Sequence, residues 1–134
     1  MKKVLVVLLA ALALTLSACG GSGAASTTIN VTMTDFMFQP ALFTVPAGQE
    51  ITVNAVNTGA VVHNIVIMKF GQTVGDMFDD ADLPNIYWEM ELDPGESGNA
   101  TFAAPTEPGE YEIVCRTPGH FAAGMTAKLV VVGE

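Results

Sequence analysis

Residues 29–134 predict an all-β fold, a two-sheet β-sandwich. Three observations carry this expectation: short alternating or β-branched apolar runs recur along the segment, Pro or Gly punctuates the intervals, and helical periodicity occurs once. In chain order, Ile29, Val31 and Met33 alternate with Asn30, Thr32 and Thr34, the period of a half-buried strand. Residues 42–45 (LFTV) form a second run, closed by the turn Pro46-Ala47-Gly48. Ile51, Val53 and Ala55 alternate with Thr52 and Asn54 until Thr58-Gly59 breaks the pattern. Residues 61–68 (VVHNIVIM), 100–102, 111–115 (YEIVC) and 127–132 complete the set.

The exception is the stretch around residues 70–82, expected to be a short helical or turn-rich insertion. Phe70, Thr73, Val74, Met77, Phe78 and Ala81 follow helical spacing, and Asp76, Asp79, Asp80 and Asp82 take the other face. Gly75 weakens such a helix by about 1 kcal/mol relative to Ala, and Leu83-Pro84 should end it. Residues 85–88, which hold the only Trp, are expected on the sandwich edge. Met33, Met37, Met68, Met77 and Met90 read as core filler, and residues 79–82 as a solvated acidic face.

The amino-terminal residues look like an export signal. Lys2 and Lys3 precede the thirteen-residue stretch 4–16, apolar except for Thr15. That is shorter than the roughly 20 residues of a membrane-spanning helix and fits a signal-peptide core. Leu16-Ser17-Ala18-Cys19 resembles a bacterial lipobox, so residues 1–18 are expected to be removed and Cys19 lipidated; simple secretion is the alternative. Residues 19–28 contain GGSGAASTT, a flexible tether composition. The domain is then expected at 29–134, exported and held on the periplasmic or extracellular face of a membrane. Only Lys69, Arg116 and Lys128 remain against fourteen Asp and Glu, which argues against nucleic acid as a partner.

With Cys19 lipidated, Cys115 is the one remaining thiol, and an exported thiol needs either burial or a metal to protect it. It opens the stretch CRTPGHFAAGM, in which Cys115, His120 and Met125 lie five residues apart. At the His and Met frequencies of this chain that spacing arises by accident about once per thousand cysteines. The turn Pro118-Gly119 reverses the chain between two strands, so one loop can aim all three side chains at a common centre. His63 lies on a separate strand that sheet packing can bring to the same end. Taken singly, each has a plainer reading: His63 as a core histidine, Cys115 as a small hydrophobe, His120 as a loop residue, Met125 as filler. Taken together, a thiolate, two imidazoles and a weak axial thioether are the donor set of an electron-transfer copper site, whereas zinc favours closed sites that seldom use Met.

The segments FMFQPALFTVPAGQEITVNAVNTGAVVHNIVIM and PGEYEIVCRTPGHFAAGMTAKLVVV resemble the cupredoxins, the small blue-copper proteins related to plastocyanin and azurin. Within that family the ligand spacing is most similar to the auracyanins, membrane-associated blue-copper proteins. The resemblance implies a Greek-key β-sandwich and one copper ion cycling between Cu(II) and Cu(I). It implies His63, Cys115 and His120 as strong ligands and Met125 as a long axial one. It also implies that Asn64 ties the two ligand loops together and that the Val62 carbonyl lies on the opposite axial side. Pro118, Phe121 and Ala122 flank His120 and are expected to form the apolar patch through which electrons leave. Implied partners are redox proteins met transiently: c-type cytochromes, membrane quinol-oxidising complexes or photosynthetic reaction centres.

The expected function is therefore electron carriage, with no small-molecule substrate and no enzyme activity. A copper chaperone or storage lipoprotein is the alternative, using the same metal but favouring exposed Met-rich sites. Copper enzymes with several metal centres need more histidines than the two present, and a binuclear copper domain needs two bridging cysteines. A metal-free binding lipoprotein would share the sandwich but not depend on Cys115.

Overall fold

The computed structural model describes residues 23–133; the expected signal segment and Cys19 lie outside them. Among the described residues nine strands form two sheets. The four-stranded sheet has the order β2-β1-β4-β7, built from β1 (Thr28–Thr34), β2 (Met37–Gln39), β4 (Glu50–Asn57) and β7 (Ser97–Ala103). The five-stranded sheet has the order β3-β9-β8-β5-β6, built from β3 (Leu42–Pro46), β5 (His63–Met68), β6 (Ile86–Leu92), β8 (Gly109–Val114) and β9 (Thr126–Val132). Pairings β1–β4 and β3–β9 are parallel and the others antiparallel, and the connections β2–β3, β3–β4, β4–β5, β6–β7 and β7–β8 pass from one sheet to the other.

The period-2 reading of β1 holds: Ile29, Val31 and Met33 are buried and the Asn and Thr between them are not. The same alternation places Val45, Ile51, Val53, Ile113 and Leu129 between the sheets. β5 differs, because all six of its residues are buried. Its Ile65 and Ile67 face the main core, while Val66 and Met68 join Val114 on the other side of the sheet. Val74, Phe78, Ile86 and Phe121 cover that outer face.

The insertion explains part of this cover, but not as a helix. Residues 70–82 are turns and irregular chain, and among the described residues the only helical segment is a 3₁₀ turn at Leu83–Asn85. Asp side chains compete for the local amides: Asp79 Oδ1 accepts from Ala81 N–H at 2.8 Å and Asp82 Oδ2 from Asp79 N–H at 2.9 Å. The Val74 N–H is bonded outward to Glu112 at 2.8 Å, which also forbids a helix there. Met77 on the expected apolar face is 65% exposed, and Met37 is 51% exposed, so neither is core filler; Met33 and Met68 are. Met90 is half-buried against the core.

Strand β6 does not feature among the expected elements, although Trp88, Met90 and Leu92 alternate inward against Tyr87, Glu89 and Glu91. It is the sheet edge, and Trp88 stacks on Phe102 of the opposite sheet with centroids 5.0 Å apart.

Candidate metal centre

Sheet pairing brings the separated donors together. The antiparallel match of Val66 with Val114 sets the start of β5, His63, beside the end of β8, where Cys115 follows. The chain then reverses through a loop closed by its own backbone. His120 N–H donates to the Thr117 carbonyl, Met125 N–H to the His120 carbonyl and Cys115 N–H to the Met125 carbonyl, at 3.0, 3.0 and 3.2 Å. Gly119 in the tip has φ +83°, a conformation that most side chains resist.

Cys115 Sγ lies 3.8 Å from His63 Nδ1 and 3.7 Å from His120 Nδ1, and the two nitrogens are 3.2 Å apart. The point equidistant from these three atoms is about 2.1 Å from each, within the roughly 2.0–2.3 Å of metal–nitrogen and metal–sulfur bonds. Two imidazole nitrogens and a thiol sulfur converging on one point are a donor set that suits a copper ion. His63, Cys115 and Met125 are wholly buried, and His120 is 8% exposed. Burial, with a smaller push from the His63 ring, holds His120 below the usual imidazole range, and Asp35 acts the other way. A neutral imidazole is the form that can donate a lone pair to a metal.

Further groups surround the cluster. Asn64 N–H points at the Cys115 sulfur at 3.5 Å. The Asn64 side chain reaches two elements: its Oδ1 accepts from Thr117 Oγ1 at 3.1 Å, and its Nδ2 donates to Glu91 on β6. Thr117 Oγ1 also lies 2.8 Å from the Val62 carbonyl, so that oxygen is engaged with the ligand loop. Asn57, fully buried, anchors the connection leading to His63. Its Nδ2 donates to the Val61 and Leu92 carbonyls at 2.8 and 3.0 Å, and its Oδ1 accepts from Gly59 N–H at 2.9 Å. Pro118 and Ala122 are exposed beside His120, whereas Phe121 is half-buried in the outer-face cluster. The aromatic ring against His120 is that of Phe36, edge-on at 5.2 Å. Asp35, Phe36 and Asn57 were invisible to motif reading, because each meets the site only through tertiary contact, and the role of Thr117, inside the loop, is set by its bonds to Val62 and Asn64.

The fold, the buried donor triangle and the loop geometry agree with the family match. The cupredoxin-like domain model matches residues 5–131. This chain belongs to the cupredoxin-like family.

Relatives place the cupredoxin more finely. It is 31% identical to auracyanin-A of Chloroflexus aurantiacus, over 98% of this chain and 97% of that protein. It is 32% identical to the copper-resistant cuproprotein CopI of Rubrivivax gelatinosus, over 84% of this chain and 70% of that one. The solved auracyanin of the photosynthetic bacterium Roseiflexus castenholzii superimposes with TM-score 0.68 at 37% identity, covering 81% of this chain and 98% of its own. Among cupredoxins it is most similar to the auracyanins, and its donor cluster fits a single copper ion.

Proposed function

We propose that this cupredoxin is a blue-copper electron carrier in which His63, Cys115, His120 and Met125 hold the metal. The observation that carries the reading is the triangle of one sulfur and two Nδ1 atoms with a centre at bonding distance from all three. Bound copper would supply one-electron Cu(II)/Cu(I) chemistry. The protein's part is to present the Cys115 thiolate and the two imidazoles in one fixed arrangement, with Met125 buried at the loop's end and water excluded. A frame that does not relax between oxidation states keeps the reorganisation small. Backbone N–H of Asn64 and the Asn64–Thr117 bond hold the sulfur's surroundings constant. His120, the only one of the four with measurable exposure, is the proposed electron exit, with Pro118, Phe121 and Ala122 around it on the loop.

A small apolar exit suits brief encounters with redox partners such as c-type cytochromes, quinol-oxidising complexes or reaction centres. Lipid on Cys19 and the tether of residues 19–28 would confine the carrier to an exported membrane face and raise its effective concentration there. No helix among the described residues is long and apolar enough to cross a membrane.

The test is optical. Residues 29–134 loaded with Cu(II) should show an intense thiolate-to-copper band that Cys115→Ser abolishes; a pale wild type with stoichiometric copper would refute the reading. The likeness to a copper-resistant cuproprotein favours a second reading, copper sequestration or delivery. Chelator competition separates them, since rapid copper release supports delivery and slow release the carrier.

A further inference from the structure

Asp35 and Phe36 form the turn between β1 and β2, and each serves one of the two imidazoles. Asp35 Oδ1 is 3.2 Å from His63 Nε2, the ring nitrogen turned away from the sulfur. The same carboxylate accepts the Ala60 N–H, at 3.1 and 3.4 Å to its two oxygens, so it is fixed from a second direction. Phe36 lies against His120 and takes φ 67°, a left-handed conformation uncommon for a residue of its size. Gly59 completes the arrangement: a Cβ there would overlap both His63 Nε2 and Asp35 Oδ1. The chain thus keeps a space open for the contact between this carboxylate and this ring.

We infer that Asp35 is a positioning residue for the metal centre, one that sets both the tautomer of His63 and the redox balance of the site. The inference rests on the reading of His63 as a ligand. An imidazole that donates Nε2–H to a carboxylate has its proton placed there, which leaves the Nδ1 lone pair facing Cys115 Sγ and His120 Nδ1. The negative charge also favours the more positive oxidation state of whatever His63 binds, and so holds the reduction potential down. Asp35 is 43% exposed, so solvent screens part of this charge and the effect is moderate.

Asp35→Asn keeps the size and an acceptor oxygen but removes the charge. It should retain the blue band and raise the midpoint potential by the equivalent of about a tenfold change in the Cu(I)/Cu(II) ratio, ~59 mV for one electron. Asp35→Ala removes the acceptor as well. Nitrogen-15 NMR of the copper-free protein should then show His63 as a single Nε2–H tautomer in the wild type and as a mixture in Asp35→Ala. Gly59→Ala leaves Asp35 present but crowds it off the ring, and should give the same mixture should Asp35→Ala prove too unstable to study. An unmoved potential in Asp35→Asn, or an unaltered His63 tautomer when the contact is removed, overturns the inference. A wild type without the blue band would sink the blue-copper reading instead, and the tautomer measurement would still decide the role of Asp35.

Discussion

The loop of residues 115–125 and the insertion of residues 70–82 are both irregular chain attached to the five-stranded sheet, but they are held in opposite ways. In the ligand loop, Cys115 and Met125 are completely buried, the backbone closes on itself, and Thr117 reaches across to Val62 and Asn64 on the strand that carries His63. The insertion bonds mainly within itself through Asp79 and Asp82, and Val74 and Phe78 are its anchors on the sheet. The difference shows what makes irregular backbone rigid. Buried polar groups that must find partners on other elements determine a conformation, while exposed ones accept water as readily as protein.

Three substitutions or conditions break or sharpen that contrast. The largest effect is expected from Asn57→Ala, which strips a partner from Gly59 N–H and the Val61 carbonyl just before His63 and from the Leu92 carbonyl on β6. Leaving such buried groups unpaired should cost about 3 kcal/mol in urea unfolding, and copper should bind more loosely. Val74→Ala, the corresponding change in the insertion, should cost only about 1–2 kcal/mol by lost burial and leave the visible spectrum unaltered. A spectrum disturbed by Val74→Ala would mean the two regions are coupled through Phe121.

The smallest effect is the share of the pH dependence of stability that His120 contributes. Folding lowers the His120 pKa, so below about pH 6.5 the unfolded chain binds a proton that the folded apoprotein has not yet taken up. Stability of the copper-free protein therefore falls as pH drops through that range and levels off below the folded pKa. Urea titrations at pH 7.5 and 5.5 on the wild type and His120→Asn should show a shallower decline in the variant, because the remaining titrating groups are shared.

Much of this was legible in the linear chain because the signals are local. The alternation of β1 and β4 follows from the pleat, and the Cys-x4-His-x4-Met spacing sits within one loop between adjacent strands. Of the two expected forms of residues 70–82 the turn-rich one is realised, because four Asp and two Gly offer turns a cheaper set of hydrogen bonds than a helix. Strand β6 was obscured by Glu89 and Glu91, which sit on its outward face where charge is tolerated; Arg116 pairs with Glu89 at 2.9 Å there.

The amino-acid sequence by itself determined the all-β class, the donor types and the loop that carries three of them, since periodicity and donor chemistry need no knowledge of the fold. Only the tertiary structure decided that His63 meets that loop, that Asp35 and Phe36 flank the two rings, and that Gly59 leaves them room. The Asp35–His63 and His63–His120 contacts join positions 28 and 57 residues apart, and no local rule encodes them: sheet register and sandwich closure set which side chains become neighbours.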